Sequence, residues 1–197
     1  MKQRKLEMLL EEIESFSDPE LELEQYQTPP PLAAEILHFA YMQGDLDDSV
    51  QDLGCGTGIL AIGAKLLGAG KVMGYDTDTK ALEIAKINAR KLGVEVEFVF
   101  SDIADIKEHV KTTFMNPPFG ARVKGRDRPF LSSALRSSDV IYSIHNRGSL
   151  AFIQKFIKPA IITHSYVAKF PIKRIFDFHK KEREVIEVEI YRITVSG

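Results

Sequence analysis

The sequence predicts an α/β fold, with a mostly parallel sheet covered by helices on both faces. Short apolar runs alternate with segments of helical spacing between Val50 and Phe156. The first of these runs passes through three closely spaced glycines into a helix over Ile59 to Leu67. The chain has 197 residues, 44% of them hydrophobic and 27% charged, which is ordinary for a globular domain. We therefore expect one domain over residues 1–197.

The charge balance and the rare residues narrow the classes of function. A net charge of −2 and a pI near 6.2 argue against binding of nucleic acid through overall charge, so such contacts require a local basic patch or a partner. No apolar run approaches the length of a membrane span and no signal peptide is visible, which favours a cytoplasmic protein without membrane contact. The single cysteine, Cys55, excludes an internal disulfide and fits the glycine turn as a small residue better than it fits a nucleophile. The five histidines are scattered, and we expect no metal site.

Residues 1–45 predict two N-terminal helices and a connection between them. Lys2 to Phe16 has apolar residues at helical spacing, and a second helix runs from Pro30 to Tyr41 with Thr28 as its N-cap. The connection allows two interpretations. It is a linker before a capped helix, or Gln25 and Thr28 fold over a bound ligand as a lid.

The glycine turn follows a strand that ends at Asp52. Gly54 and Gly56 can adopt positive φ and let a ligand approach the backbone, where the first N–H groups of the helix point outward. Dinucleotide-binding folds have a third glycine at the position of Ile59, so a nicotinamide cofactor is disfavoured. The Asp52 carboxylate suits a ligand with an ammonium and a sulfonium better than a phosphate. The turn resembles the S-adenosylmethionine site of Rossmann-like methyltransferases, and an ordinary strand-to-helix turn is the alternative.

Two further strands lead to acidic residues. A strand over Gly70 to Asp76 places the Asp76 carboxylate about twenty residues after the glycines, where this architecture binds ribose hydroxyls. Helix capping is the alternative for this residue. A third strand over Val94 to Phe100 is followed by Asp102 and Ile103. These two either accept an adenine amino group and cover the ring, or form a plain surface turn.

The fourth strand delivers Asn116-Pro117-Pro118-Phe119, which favours methylation of an amino group. An exocyclic amine or a side-chain amide is a poor nucleophile because its lone pair is delocalised. Two oxygen acceptors that hold its N–H groups turn the lone pair toward an incoming methyl and stabilise the developing charge. Asn116 supplies a side-chain carbonyl and Pro117 a backbone carbonyl, and Phe119 offers a face on which a flipped-out or single-stranded base stacks. A turn that only ends a strand is the alternative.

The remaining elements complete the alternation of helices and strands. Helices are predicted over Lys80 to Leu92, Pro129 to Arg136 and Ser149 to Phe156, and strands over Thr112 to Met115, Val140 to Ile144, Ala160 to Thr163 and Val185 to Val195. The last strand pairs antiparallel with its predecessor. Two basic clusters, after the fourth strand and between the last two strands, are solvated surface by default but can grip RNA phosphate beside a reactive strand end. The residues expected to do so are Arg122, Lys124, Arg126, His179, Lys180 and Lys181.

The glycine turn, Asp76 and the Asn-Pro-Pro-Phe sequence resemble those of methyltransferases that act on adenine N6, cytosine N4 or glutamine amides. The closer resemblance is to the methyltransferase-like family that modifies a small-subunit ribosomal RNA adenine at N6, and the chain looks like an archaeal member. This resemblance covers nearly the whole chain. The sequences that carry it are Leu23-Glu24-Gln25-Tyr26-x-Thr28, Asp52-Leu53-Gly54-Cys55-Gly56, Gly74-Tyr75-Asp76-x-Asp78, Tyr142-Ser143-Ile144-His145 and Phe178-His179-Lys180-Lys181.

This resemblance implies a Rossmann-like class I methyltransferase fold with a seven-stranded sheet whose last strand pair is antiparallel. It implies S-adenosyl-L-methionine as cofactor, ribosomal RNA as substrate, a small zinc-binding activator subunit as partner, and an amino-group clamp at Asn116 to Phe119. The cofactor contacts it implies are Gln25, Thr28, Gly54, Thr57, Ile59, Asp76, Asp102 and Ile103, to which the residues of the turn add Asp52 and Gly56. Thr57 stands where some relatives have a cysteine, and Gln27 where they have a proline.

Three other functions stay open. Glutamine-amide methyltransferases of release factors resemble this chain at the fourth strand, but they usually carry tyrosine at the position of Phe119 and a longer N-terminal domain. A DNA adenine methyltransferase is the second, although nothing in the sequence resembles a separate target-recognition domain. The third is a non-catalytic RNA-binding protein that kept the fold.

Overall fold

The structure, a computed structural model, describes residues 1–16, 26–118, 125–173 and 183–195. Its strands are β1 (Val50–Leu53), β2 (Val72–Asp76), β3 (Glu97–Phe100), β4 (Val110–Met115), β5 (Ser138–Asn146), β6 (Ile161–Lys173) and β7 (Arg183–Thr194). Its α-helices are α1 (Gln3–Leu10), α2 (Pro30–Met42), α3 (Ile59–Leu66), α4 (Thr79–Lys91), α5 (Arg128–Ser137) and α6 (Leu150–Phe156). Within these ranges no helix has the length and apolar character needed to span a bilayer.

The strands form one sheet in the order β3-β2-β1-β4-β5-β7-β6. β1 to β5 run parallel, and β7 is antiparallel to both β5 and β6. The predicted seven-stranded, mostly parallel sheet is therefore confirmed. From β1 the chain moves outward to β2 and β3, and it then returns to place β4 on the other side of β1. Such a reversal leaves a ligand-binding crevice at the carboxyl ends of the two central strands.

Two apolar clusters lie on opposite faces of the sheet, so helices cover both faces as predicted. Helices α1 to α4 build one cluster, in which Ile36 and Ile62 are buried with Phe114. Helices α5 and α6 build the other, in which Leu131 is buried with Met115. The neighbours Phe114 and Met115 enter different clusters because successive side chains of a strand point to opposite faces.

Two elements differ most in length from the prediction. Helix α1 ends at Leu10, not near Phe16, because the backbone of Glu14 hydrogen-bonds to a side chain of α4 instead of continuing the helix. Strand β6 continues past Thr163 to Lys173 and pairs with β7 along its length. Lys169 and Lys173, the first basic residues between the last two predicted strands, therefore lie on β6.

Candidate active site

A cavity of about 350 Å³ lies at the carboxyl ends of β1, β2 and β4, where the strand order reverses. Its lining residues are Phe16, Tyr26, Gly54, Gly56, Tyr75, Asp76, Thr77, Ser101, Asp102, Ile103, Asn116, Pro118, Arg126, Pro129 and Phe130. A smaller cavity of about 30 Å³ shares Phe16, Tyr26, Gly54, Gly56 and Asn116 with it and adds Gln27, Thr28, Asp52, Cys55, Thr57, Ile59 and Leu60. Every predicted cofactor residue within the described ranges lines one of these two cavities.

The glycine turn contributes backbone alone to the cavity wall. Gly54 and Gly56 have φ values of 69° and 51°, a region that other residues rarely adopt. A Cβ atom on Gly54 would come within 2.9 Å of the Phe130 ring, and one on Gly56 within 2.8 Å of the Phe16 ring. Both the conformation and the available space therefore require glycine.

Asp76 connects the end of β2 to the glycine turn. Its Oδ2 accepts a hydrogen bond from the Gly56 N–H at 2.7 Å, and its Oδ1 accepts one from the Asp78 N–H at 2.9 Å. Burial raises the pKa of the Asp76 carboxyl, and these N–H groups oppose the shift. The cap of α4 is Asp78, not Asp76. Since a carboxylate has about four acceptor sites, Asp76 can still accept from a ligand hydroxyl.

Asp52 is a buried carboxylate, 2% exposed, at the end of β1. Its Oδ2 accepts a hydrogen bond from the Ala61 N–H of α3 at 3.2 Å. Burial raises the pKa of Asp52 to about 7, the Ala61 N–H opposes the shift, and the charge of Asp76 adds to it. No salt bridge to Asp52 occurs in the part of the chain that the structure describes. A cationic ligand would compensate this charge.

Asp102 and Ile103 form a turn that also borders the larger cavity. The Asp102 side chain accepts a hydrogen bond from the Ala104 N–H at 2.8 Å and so caps the short 3-10 helix Ile103–Asp105. The Ser133 hydroxyl of α5 donates to the Ile103 carbonyl at 2.7 Å and holds this turn in place. Both Asp102 and Ile103 also line the larger cavity.

Asn116 follows β4 and is held by residues of the N-terminal region. Its Nδ2 donates to the Tyr26 carbonyl at 3.2 Å and to Thr28 Oγ1 at 3.1 Å. Its Oδ1 is buried and has no hydrogen-bond partner among the described residues. Pro117 is buried behind it, and Pro118 lines the larger cavity. The Asn116 side chain therefore has one unused acceptor at the border of both cavities.

Two threonines contribute hydroxyls to the smaller cavity. The prediction that Thr28 caps α2 is wrong: the N-cap is Pro29, and no side chain caps this helix, because the Thr28 hydroxyl accepts from Asn116 instead. Thr57 is 2% exposed, and its Oγ1 has no partner within the described ranges. The smaller cavity therefore has an unused hydroxyl in its wall.

Phe16 and Asn88 were not predicted to belong to the site. Asn88 of α4 is fully buried; its Oδ1 accepts from the Glu14 N–H at 2.9 Å, and its Nδ2 donates to the carbonyls of Glu14 and Thr57 at 3.1 and 3.0 Å. These bonds hold residues 12–16 against the glycine turn, where the Phe16 ring covers Gly56. A signal for Asn88 was present, since it is an asparagine on the buried, otherwise apolar face of a predicted helix.

A serine, a histidine and an aspartate form a chain beside the site. Ser143 and His145 of β5 hydrogen-bond to each other, and His145 Nδ1 lies 3.3 Å from Asp127 Oδ2. The hydrogen bond from His145 lowers the pKa of Asp127. These residue types also form hydrolase triads, but Ser143 is 0% exposed and beyond the reach of a substrate. Ser143 and His145 instead hold the side chain of Asp127, the residue before α5.

Several predicted site residues lie outside the described residues. They are Gln25, Phe119, Arg122, Lys124, His179, Lys180 and Lys181. Arg126 is described and lines the larger cavity, while the Arg128 guanidinium lies over the Phe152 ring, 5.3 Å from its centroid. Across residues 1–16, 26–118, 125–173 and 183–195, no group of three or more His, Cys, Asp or Glu side chains is placed to hold a metal ion.

The residues present fit S-adenosylmethionine. Asn116 Oδ1 and Thr57 Oγ1 are buried oxygens without partners in the described chain, and Asp52 is a buried carboxylate without a countercharge there. Gly54 and Gly56 keep their part of the wall of the larger cavity free of side chains. An ammonium and a sulfonium match the acidic pocket, ribose hydroxyls match Asp76, and an adenine ring matches the wall at Ile103.

Comparison with known proteins first locates a methyltransferase segment. The family model described as ribosomal protein L11 methyltransferase (PrmA) matches residues 35–115. The ribosomal protein L11 methyltransferase of Dictyoglomus thermophilum is 55% identical over 58 residues, which are 29% of this chain and 19% of that protein. Both matches cover less than half of the chain.

Other relatives match the chain from end to end. The rRNA N(6)-adenosine-methyltransferase Mettl5 of Drosophila melanogaster is 34% identical, and the match covers 100% of this chain and 98% of that protein. The METTL5 enzyme of Danio rerio is 33% identical over 98% of this chain and 99% of its own length. The crystal structure of a candidate RNA methyltransferase from Pyrococcus horikoshii has a TM-score of 0.93 at 37% identity, and the match covers 100% of this chain and 99% of that one. This chain therefore belongs to the family of S-adenosylmethionine-dependent rRNA N(6)-adenosine-methyltransferases.

Proposed function

We propose that the protein transfers a methyl group from S-adenosylmethionine to N6 of an adenine in small-subunit ribosomal RNA. The observation that carries this proposal is Asn116: both N–H groups of its amide have acceptors in the protein, while its buried carbonyl oxygen has none among the described residues. Membership in the family supports ribosomal RNA adenine as the substrate. A cytoplasmic location fits a chain whose single cysteine has no possible internal disulfide partner.

The cofactor, when bound, supplies an electrophilic methyl group on a sulfonium. Asp52 binds positive charge in the smaller cavity, and Asp76 accepts hydrogen bonds from ribose hydroxyls. Asn116 Oδ1 and the Pro117 carbonyl accept the two N–H groups of the adenine amine, which leaves its lone pair to face the methyl. Because nitrogen becomes cationic during transfer, it loses its proton readily and the site requires no ionised base.

The hairpin of β6 and β7 supports binding of RNA. β7 pairs with β5 only as far as Val188, opposite Asn146, whereas its pairing with β6 continues to Arg183 opposite Lys173. Since β7 is antiparallel to β5, the hairpin extends beyond the carboxyl end of β5, the edge of the sheet at which Asn116 lies. In the sequence, His179, Lys180 and Lys181 stand between these two strands. We propose that they bind RNA phosphates near the amino-group clamp.

We further propose that a small zinc-binding activator subunit binds at strand β3. β3 has four residues and forms one edge of the sheet, so its outer backbone groups are available to another chain. Phe100 at its end is 62% exposed, although it is a large aromatic residue. A partner here would also brace the neighbouring cavity wall at Asp102. Phe100→Asp should prevent a complex with the activator of the same organism in size-exclusion chromatography, without loss of cofactor binding.

Purified protein, with and without its activator, tests the activity. It is incubated with labelled S-adenosylmethionine and, separately, unmodified small-subunit RNA, large-subunit RNA, a release factor and a DNA duplex. We expect label only in N6-methyladenosine from small-subunit RNA. Label in N6-methyladenosine of large-subunit RNA would agree with the proposed reaction but contradict small-subunit RNA as its substrate. Label in DNA or glutamine would overturn the proposed substrate, and no cofactor binding by calorimetry would favour a non-catalytic RNA-binding protein.

A further inference from the structure

We propose that Thr28 and the main-chain carbonyl of Tyr26 are positioning groups for the amino-group clamp: they hold the Asn116 amide in the one orientation that leaves its carbonyl as the free acceptor. This inference rests on the proposed function of Asn116. The positioning role of Thr28 is distinct from the cofactor contact that the sequence resemblance assigns to it.

The geometry selects one of two amide orientations. An asparagine amide can rotate by about 180° so that its oxygen and nitrogen exchange places with little change of shape. A main-chain carbonyl only accepts hydrogen bonds, so the Tyr26 carbonyl, 3.2 Å from Asn116 Nδ2, requires nitrogen at that place. Thr28 Oγ1 accepts the second N–H at 3.1 Å. Both donors of the amide are then used, and only Oδ1 is left to bind a substrate.

The rotated amide would fail in the proposed reaction. It would present an NH2 group to the NH2 group of the substrate, and donors do not bind donors. It would also place Oδ1 against the Tyr26 carbonyl, which is a repulsive contact between two acceptors. Thr28 is 3% exposed, so water does not easily replace its hydroxyl. The hydroxyl is therefore available to hold Asn116, and it acts on the substrate through that amide.

Thr28→Val tests this role because it replaces a hydroxyl by a methyl group of similar size. We expect kcat to fall about tenfold, the KM for RNA and the cofactor Kd to stay within about twofold, and Thr28→Ser to restore kcat to within about threefold of the unmodified protein. A second readout needs no activity. In the unmodified protein without ligands, the Asn116 side-chain amide protons should give one sharp pair of NMR signals, which Thr28→Val should shift or broaden and Thr28→Ser should preserve.

Thr112→Val is the matched control. Thr112 lies on β4, the strand that leads to Asn116; it is 0% exposed, and its hydroxyl donates to the Asp45 carbonyl at 2.6 Å. It lines neither cavity. Loss of this buried hydroxyl should lower the melting temperature but leave kcat and the Asn116 signals unchanged.

Two results would overturn the positioning role. A cofactor Kd that rises in Thr28→Val in parallel with the loss of activity would show that Thr28 acts as a cofactor contact. Unchanged kcat together with unchanged Asn116 signals would show that the hydroxyl has no influence on the clamp. If Thr28→Val does not fold, Thr28→Ala is measured in the same way. If the unmodified protein methylates no RNA, the proposed function fails, while the Asn116 signals still decide whether Thr28 orients the amide.

Discussion

Asn88 and Asn116 both bind the N-terminal region through side-chain amides, but within the described residues only Asn88 has partners for all of its side-chain polar atoms. Each Nδ2 donates to two acceptors, one of which is a main-chain carbonyl of that region. The Oδ1 of Asn88 accepts the Glu14 N–H at 2.9 Å, whereas the Oδ1 of Asn116 is buried without a partner among the described residues. Buried polar atoms are almost always hydrogen-bonded in native proteins. This difference is the one expected between a structural amide and, under the proposed function, an amide that a substrate completes.

Two buried aspartates repeat this contrast. Asp45 is 4% exposed and is bonded by Arg192, at 2.8 and 2.9 Å, and by the Tyr142 hydroxyl. Asp52 is 2% exposed, and among the described residues it has a single hydrogen-bond donor, the Ala61 N–H at 3.2 Å. Asp52, Thr57 and Asn116, whose polar atoms are short of hydrogen-bond or charge partners among the described residues, all line a cavity. Gln51 Oε1 is an exception, because it also has no partner among the described residues although Gln51 lines neither cavity.

Asn116→Ala should produce the largest effect. It removes one of the two acceptors that stabilise charge on the adenine amine, so we expect kcat to fall by about 100-fold to 1,000-fold. The free energy of unfolding should fall by about 1 to 2 kcal/mol, less than in Asn88→Ala, because Asn116 is only half-buried and two hydrogen bonds are lost. Single-turnover methylation and urea denaturation measure the two quantities. Full activity in Asn116→Ala would show that this residue is not part of the clamp.

Asn88→Ala should instead lower the stability of the protein strongly and kcat only slightly. It leaves the N–H and carbonyl of Glu14 and the carbonyl of Thr57 without their partner in a fully buried place. We expect the free energy of unfolding to fall by about 2 to 4 kcal/mol. At temperatures where the variant is folded, kcat with saturating cofactor should stay within about threefold of the original. A loss of kcat as large as that of Asn116→Ala would remove the distinction between the two asparagines.

The sequence could predict the parts of the site that follow from local spacing. Asp52, Asp76 and Asn116 were found because the ends of parallel strands meet at one edge of the sheet, so a residue at a strand end is also a residue at the site. Contacts between distant segments carry no such signal. Glu14 and Asn88 are 74 positions apart, and Thr28 and Asn116 are 88 apart.

The sequence prediction of the N-cap was wrong at Thr28 because a contact with a distant segment decides what this side chain binds. A threonine shortly before a proline-rich helix start is a normal N-cap, but its hydroxyl is used by Asn116, and Pro29 takes the cap position. Similarly, apolar spacing extended α1 to Phe16, whereas the bonds of Glu14 to Asn88 end the helical path earlier. In both cases a long-range hydrogen bond outweighs a local preference.

The pH dependence of cofactor binding sharpens the contrast between Asp45 and Asp52. Burial raises the pKa of Asp52 from 3.8 to about 7, so this carboxyl progressively destabilises the ligand-free protein as the pH rises from about 4 to about 7, and adds no further change above that. A cationic ligand binds the ionised form, and the fraction ionised rises from about 0.1 at pH 6 to about 0.9 at pH 8. We expect the affinity for S-adenosylmethionine to increase about tenfold over this range. Calorimetry measures it, and Asp52→Asn should abolish the dependence; a pH-independent affinity of the unmodified protein would contradict the assignment.

The smallest expected effect is on the cofactor Kd, and it tests whether Asn88 contributes to stability alone. Its bonds to Glu14 place Phe16 over Gly56, so Asn88 should influence the cofactor through that ring. Phe16→Leu keeps an apolar side chain but loses the flat face, and we expect the cofactor Kd to rise about threefold.

Asn88→Ala should raise the cofactor Kd by a similar factor, because it releases the segment that carries Phe16. The double variant should then bind the cofactor no more weakly than either single variant, since both changes remove the same contact. Additive losses in this cycle would mean that Asn88 affects the cofactor by another route, for example through its bond to the Thr57 carbonyl. An unchanged Kd in Asn88→Ala would leave Asn88 as a residue of stability alone, and the N-terminal segment would then reach the site only through Tyr26 and Thr28.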